Sequence, residues 1–183
     1  MLSRLQDQLS AYRDNPDPLA QLANSVALVI AGNQPFYPLY LYAIVGQAAW
    51  PAWLTLLTMP LFAAIPAVSR RNALAGRLML VVVGVANTVL AVKLIGTDTA
   101  VELFLLPCVL LSTILFRQTE KRAMAAALAC PFAAYFLLDA AVGAPLATYS
   151  AAEYRSIINM HAFSVASLFA LIGFVFPADT KVP

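Results

Sequence analysis

An all-α fold is predicted: a polytopic integral membrane protein of six transmembrane helices with the N- and C-termini cytoplasmic. Three observations predict it. The chain is 62% hydrophobic and only 11% charged, with a mean hydropathy of +0.80, whereas an ordinary globular domain carries roughly 25% charged residues. Six apolar stretches fill the chain from Leu19 to Phe176, and charge is confined to the gaps between them and to their ends. These stretches are continuous apolar runs and not the alternating segments of roughly ten residues that build membrane barrels, which selects helices.

A hydrocarbon core of about 30 Å needs roughly 20 helical residues, and each stretch comes close to that length. Residues 1–18 form a cytoplasmic lead, 19–176 the transmembrane domain and 177–183 a short cytoplasmic tail. In the lead, Leu2, Leu5 and Leu9 recur at helical spacing with Arg4, Asp7 and Arg13 on other faces. That pattern fits an amphipathic helix lying on the inner leaflet or contacting a partner. The prolines of Asn15-Pro16-Asp17-Pro18 end it, because each disfavours helix in the residue before it.

The first crossing, Leu19–Gly46, is too long for a cleaved signal peptide and follows a charged lead-in, so it is expected to stay in the protein. Within it, Pro35 and Pro38 remove two backbone donors and push Gln34 and Tyr37 away from ideal helix. Broken helices of this kind mark binding sites in many membrane proteins. The second crossing, Pro51–Val68, follows the hinge Trp50-Pro51-Ala52-Trp53, whose indoles suit the outer interface. The remaining crossings are Leu78–Ile95, Val101–Phe116, Ala123–Val142 and Ser156–Phe176.

Basic residues set the orientation. With the N-terminus cytoplasmic, Arg4, Arg13, Arg70, Arg71, Arg77, Arg117, Lys121, Arg122 and Lys181 fall inside and only Lys93 and Arg155 outside. Such an asymmetry is the positive-inside pattern and points to a plasma membrane, the bacterial inner membrane.

Several function classes are excluded. No phosphate-binding glycine loop, nucleophile elbow or HExxH signature is present. A net charge of +2, explained by orientation, leaves no basic groove for nucleic acid. Cys108 and Cys130 lie on different helices without CxxC or Cys/His spacing, so neither a disulfide framework nor a zinc site is indicated. The single histidine, His161, rules out a bis-histidine haem within one subunit. No cofactor or metal is expected. Asp139, Glu102 and His161 are capable of acid–base work, but no nucleophile or metal set completes a catalytic site, and an enzyme is not expected.

Depth organises the polar residues. Asn33 and Gln34 fall near mid-membrane, Tyr37, Tyr40 and Tyr42 in the outer half, Asn87 near the middle and Lys93 near the outer end of the third crossing. Glu102 opens the fourth crossing, Tyr135 and Asp139 share a face near the outer end of the fifth, and Asn159, His161 and Ser164 start the sixth. The inner halves are Leu, Val, Ala, Phe and Met. Ionisable groups within spans cost free energy and usually pair or line a cavity, so an outward-facing polar pocket sealed below by apolar packing is expected, lined by Gln34, Tyr37, Tyr40, Asn87, Lys93, Glu102, Asp139 and His161. In it Lys93 neutralises an anionic ligand group, the carboxylates accept hydrogen bonds or pair with Lys93, and the tyrosines stack and donate. Structural readings stand beside these: Lys93 snorkelling or pairing with Glu102, Asn87 joining helices, His161 as a satisfied core residue.

Six short-looped helices, a proline-rich lead and the cluster Phe36-Tyr37-Pro38-Leu39-Tyr40 resemble the six-helix membrane receptor modules of bacterial quorum-sensing histidine kinases and of some membrane-anchored adenylate cyclases. The resemblance implies recognition of a small, fairly apolar signal between the helices. The chain departs from those modules after Phe176, where only residues 177–183 follow, so any output is expected to pass to another protein. Lipid, a small-molecule ligand and a membrane-protein partner or second copy are the partners implied. The reading is a sensory or accessory module; the alternatives are a small transporter or transporter subunit and an assembly subunit of a larger complex.

Overall fold

Side-chain caps start three of the helices in the computed structural model, which describes residues 2–176, with backbone alone at Leu2, Ser3, Leu5, Asp139 and Ala141. The tail at 177–183, including Lys181, lies outside the described residues. Helix α1 (Leu2–Arg13) is docked by its last turn: Tyr12 Oη donates to the Ala63 carbonyl at 2.8 Å, and the Arg70 guanidinium stacks over the Tyr12 ring. Asp17 then caps α2 (Pro18–Asn33), its carboxylate accepting from the Leu19 and Ala20 amides, with Pro18 placed where a helix needs no donor.

The predicted break is present. α2 ends at Asn33, Pro35 starts a new turn and α3 runs Phe36–Val45. Pro38 has no N–H to offer the Gln34 carbonyl, and the Tyr37 amide takes it at 3.2 Å. At Gly46, with φ of +58°, the chain reverses. Residues Gly46–Thr58 form an unusually long 3-10 segment that packs along α3, and α4 (Met59–Arg71) continues it alongside α2. The first two rods are therefore an antiparallel pair. Because 3-10 helix repeats every three residues, Ala49, Ala52, Thr55 and Thr58 all fall on its buried face.

Helix α5 (Ala73–Ile95) is the central strut, packing against α2, α4, the 46–58 segment, α6 and α7. It starts five residues before the predicted span because the Asn72 side chain caps it, accepting from the Ala75 amide. Short 3-10 turns at Thr97–Thr99 and Val101–Phe104 lead into α6 (Leu105–Ile114). A turn at Gln118–Glu120 then starts α7 (Lys121–Val142). Helix α8 (Ala151–Val175) begins with a reciprocal cap between Ser150 and Glu153 and packs on α2, α3, α6 and the 97–104 turns.

Every described element is helix, turn or irregular chain; no strand occurs among the described residues. Among the described residues four stretches, Phe36–Arg71, Ala73–Ile95, Gln118–Leu138 and Ala151–Val175, are long and apolar enough to cross a membrane by length and composition, the first of them containing the reversal at Gly46, and Val101–Ile114 is a shorter apolar one. By length and composition the chain is an integral membrane protein. Its surface agrees: Phe136, Phe163 and Phe174 are 77%, 75% and 91% exposed, an arrangement suited to lipid and not to water.

Candidate functional site

A cavity of about 680 Å³ lies inside the bundle, walled by α2, α3, α5, α6 and α8, with Thr55, Phe62 and, from the 101–104 turn, Val101 and Phe104 completing it. Its size is that of a small-molecule site, about 300–1,000 Å³. Along α5 the wall runs from Leu80 to Ala91, roughly 16 Å at about 1.5 Å per residue. Phe62, Leu80, Leu111, Leu168 and Leu171 make one apolar end. Nearer the middle, Asn33, Gln34, Thr55, Asn87, Thr88, Ser164 and Ser167 bring amides and hydroxyls to the wall.

The helix break positions the central polar group. Gln34, at the kink, is buried, and its Nε2 donates to Thr58 Oγ1 at 2.7 Å, Asn87 Oδ1 at 3.1 Å and the Thr55 carbonyl at 3.3 Å. A carbonyl only accepts, so Thr55 fixes which end of the Gln34 amide faces it. Gln34 Oε1 is left buried with no hydrogen-bond partner, at a cost of about 1–3 kcal/mol for an unsatisfied buried acceptor.

A second polar set closes the end formed by the 97–104 turns. His161 is fully buried, its Nδ1 is 2.7 Å from the Thr99 carbonyl and its Nε2 3.0 Å from Tyr37 Oη. Since the carbonyl only accepts, Nδ1 carries a proton, and in the neutral ring Nε2 accepts from the tyrosine. Phe104 packs edge-on against the imidazole, and Tyr37 stacks on it. The histidine is thus a joint between α8, α3 and the 97–99 turn.

The opposite end of the bundle is tied by ions. Arg77, 1% exposed, pairs through both terminal nitrogens with Glu120 at 2.7 and 2.8 Å and donates to the Leu115 carbonyl at 2.7 Å. Arg117 pairs with Asp17 at 3.1 Å, and Asp17 also lies 3.6 Å from Arg77. Two arginines meet two carboxylates here, joining the starts of α2, α5 and α7. Arg77 and Arg117, orientation charges by their place in the sequence, are also the basic ends of a neutral clamp.

Of the residues expected to line one pocket, Gln34, Tyr37, Tyr40 and Asn87 share the cavity wall. Lys93, Glu102 and His161 are not in it. Lys93 Nζ donates instead to the Val142 and Ala144 carbonyls at 3.1 and 2.8 Å, satisfying the C-terminus of α7. Glu102 is half-buried at the start of the 101–104 turn, and the side chain of Asp139 lies outside the described residues. Neutralisation of an anion by Lys93 is therefore not what this cavity offers. Among the described residues its wall holds no Asp, Glu, Lys, Arg or His.

Thr55, Thr58, Thr88 and Ser167 escape the sequence reading. The first two carry a signal, the three-residue repeat from Ala49 to Thr58; Thr88 and Ser167 carry none, since single hydroxyls occur on any helix face. No three His, Cys, Asp or Glu side chains gather into a metal-binding group among the described residues.

No protein-family model, curated protein or solved structure matches the chain.

Proposed function

We propose that the chain crosses the bacterial inner membrane six times, both ends cytoplasmic, and binds a small, uncharged, largely apolar molecule in this cavity as a sensory or accessory module. The carrying observation is the cavity itself, which has a polar girdle of amides and hydroxyls, an apolar end and, among the described residues, no ionisable side chain except tyrosine and cysteine. A ligand with one hydrogen-bonding group and an apolar body matches that lining, and the role is binding, not catalysis. Six antiparallel rods support the crossing count: Pro18–Val45, Gly46–Arg71, Ala73–Ile95, Val101–Ile114, Lys121–Val142 and Ala151–Val175. The excess of arginine and lysine at one set of connections supports the orientation.

Thermal unfolding in detergent against neutral single-chain amphiphiles tests the reading. A ligand that binds only the folded form stabilises by RT ln(1 + [L]/Kd), about 2.7 kcal/mol at a hundredfold excess over Kd. Ser164→Trp, which puts an indole into the cavity from α8, is expected to abolish that gain while the protein stays folded. Absence of any stabilising amphiphile would overturn the proposal.

A second reading, an assembly subunit, draws support from α7, where Ala125, Ala126 and Ala129 leave an exposed small-residue face. Native mass spectrometry from membranes distinguishes it by a stoichiometric partner.

A further inference from the structure

The ends of the cavity are shut, and its side is not. At one end the cavity meets Val101, 2% exposed, and Phe104, which packs on the fully buried imidazole of His161. At the other, Phe62, Leu80 and Leu111 are each at most 2% exposed. The wall contributed by α5 and α6 is buried or half-buried throughout. Among the described residues, only the first rod and the last helix give the cavity residues that are also exposed on the surface: Val29 and Asn33 on α2, Tyr40 on α3, and Phe163 and Ser167 on α8.

These residues face each other across the seam between the kinked first rod and the last helix. The two helices that flank the seam also expose large apolar side chains, Phe36 and Leu39 of α3 at 49% and 48% and Phe174 of α8 at 91%, a composition that belongs in hydrocarbon. Asn33 and Ser167 are the exceptions, polar groups at the lips of the opening. In lipid each needs a hydrogen-bond partner, and a hydroxyl or carbonyl passing inward meets first these groups and then the Gln34–Asn87 girdle.

We propose that the cavity is loaded sideways from the bilayer, through the seam between α2–α3 and α8, by a membrane-dissolved amphiphile with an uncharged head. The inference rests on the cavity being a binding site, as proposed above, and adds its source and its route. A water-borne ligand would need one of the closed ends to open; a lipid-dissolved one needs only the gap that is present.

Photolabelling of the chain in phosphatidylcholine vesicles tests it, using dodecanol carrying a diazirine near its hydroxyl, with a sulfonated diazirine of similar size as the water-borne comparison. The alkanol is expected to label Asn87–Thr88 and the cavity face of α8, and the sulfonate to label neither. Ser167→Trp and, separately, Val29→Trp obstruct the seam from its two sides; in each, cavity labelling should be lost while labelling of the lipid-facing Phe136–Leu137 stays. That second readout confirms that the variant is folded in the membrane and that probe is present. Equal cavity labelling in the native chain and both variants, or labelling by the sulfonate, overturns the lateral route and leaves the binding site standing. Labelling confined to lipid-facing positions in the native chain overturns both.

Discussion

Gln34 and Asn87, 53 positions apart, share a hydrogen bond of 3.1 Å that ties the kink of the first rod to the middle of α5. Asn87 Oδ1 also accepts from the Thr58 hydroxyl at 2.7 Å. One oxygen thus serves two donors from two elements. Asn87→Leu removes that acceptor, but the Gln34 amide keeps Thr58 Oγ1 and the Thr55 carbonyl, and the Thr58 hydroxyl keeps the Thr55 carbonyl at 2.9 Å. What is lost is two hydrogen bonds, about 0.5–1.5 kcal/mol each in water-soluble proteins and about 0.6 kcal/mol on average between helices in membranes. The expected loss is about 1–2 kcal/mol, read by SDS titration of the purified protein. Thr58→Val removes one of the same bonds, so the double variant should lose less than the sum of the two singles. Strict additivity would mean that the three side chains do not act as one network.

The ion clamp makes a larger prediction. Removing one member of a buried pair strands its partner and costs about 3–5 kcal/mol, whereas replacing both with apolar residues is often neutral. Arg77→Met should therefore leave little folded protein in detergent. Arg77→Met with Glu120→Leu should recover part of that loss, although Asp17 and Arg117 remain to be satisfied. A double variant as unstable as Arg77→Met alone would show that the Leu115 carbonyl, and not Glu120, is the partner that matters.

Much of the bundle is legible in the sequence, for identifiable reasons. Apolar runs without interruption became α5, α7 and α8, and the paired prolines at positions 35 and 38 broke the first rod where the residues demanded it. The site was only half legible. Gln34 and Asn87 stand out as amides at mid-depth, and they meet. Lys93 and Glu102 are close in sequence, but Lys93 turns to the carbonyls at the end of α7; which helix stands next to α5 is not written in depth or periodicity. The 3-10 run from Gly46 to Thr58 escaped because a long apolar segment reads as α-helix by default, and its three-residue repeat of small side chains shows only once that geometry is suspected.

Alkaline pH acts on the connection between α7 and α8. This connection is stitched to the end of α5 by the Leu146 and Ala147 amides, which donate to the Lys93 and Leu94 carbonyls. Tyr149 sits within it, and burial, followed by the neighbouring Tyr154 and Glu153, pushes its phenol from 10.0 up to about 12. The folded state then holds this proton more tightly than the unfolded state does. Its contribution is complete below pH 10 and falls as pH rises from 10 towards 12. Tyr149→Phe should flatten that part of the decline in thermal stability, with no change in the pH dependence from 7 to 9. An unchanged alkaline limb would place the phenol in water.

Two glycines separate packing from propensity. A Cβ at Gly76 would run into Ser69 Oγ and lie 2.9 Å from the Ser69 backbone, so this glycine sets how closely α4 and α5 approach. A Cβ at Gly32 meets nothing within 4 Å. Gly→Ala in an unobstructed helix gains about 1 kcal/mol from propensity, whereas overfilling a tight crossing costs about 1–3 kcal/mol. Gly32→Ala should therefore be neutral or stabilising and Gly76→Ala destabilising, although the chemical change is the same. Ser69→Gly removes the hydroxyl and its Cβ but not the backbone atom, so it should rescue Gly76→Ala only in part. Unfolding midpoints of the three variants measured in one detergent decide this. A Gly76→Ala protein as stable as the native chain would mean that the two helices separate at no cost, and that the spacing of α4 from α5, which sets where Thr58 meets Asn87, is soft.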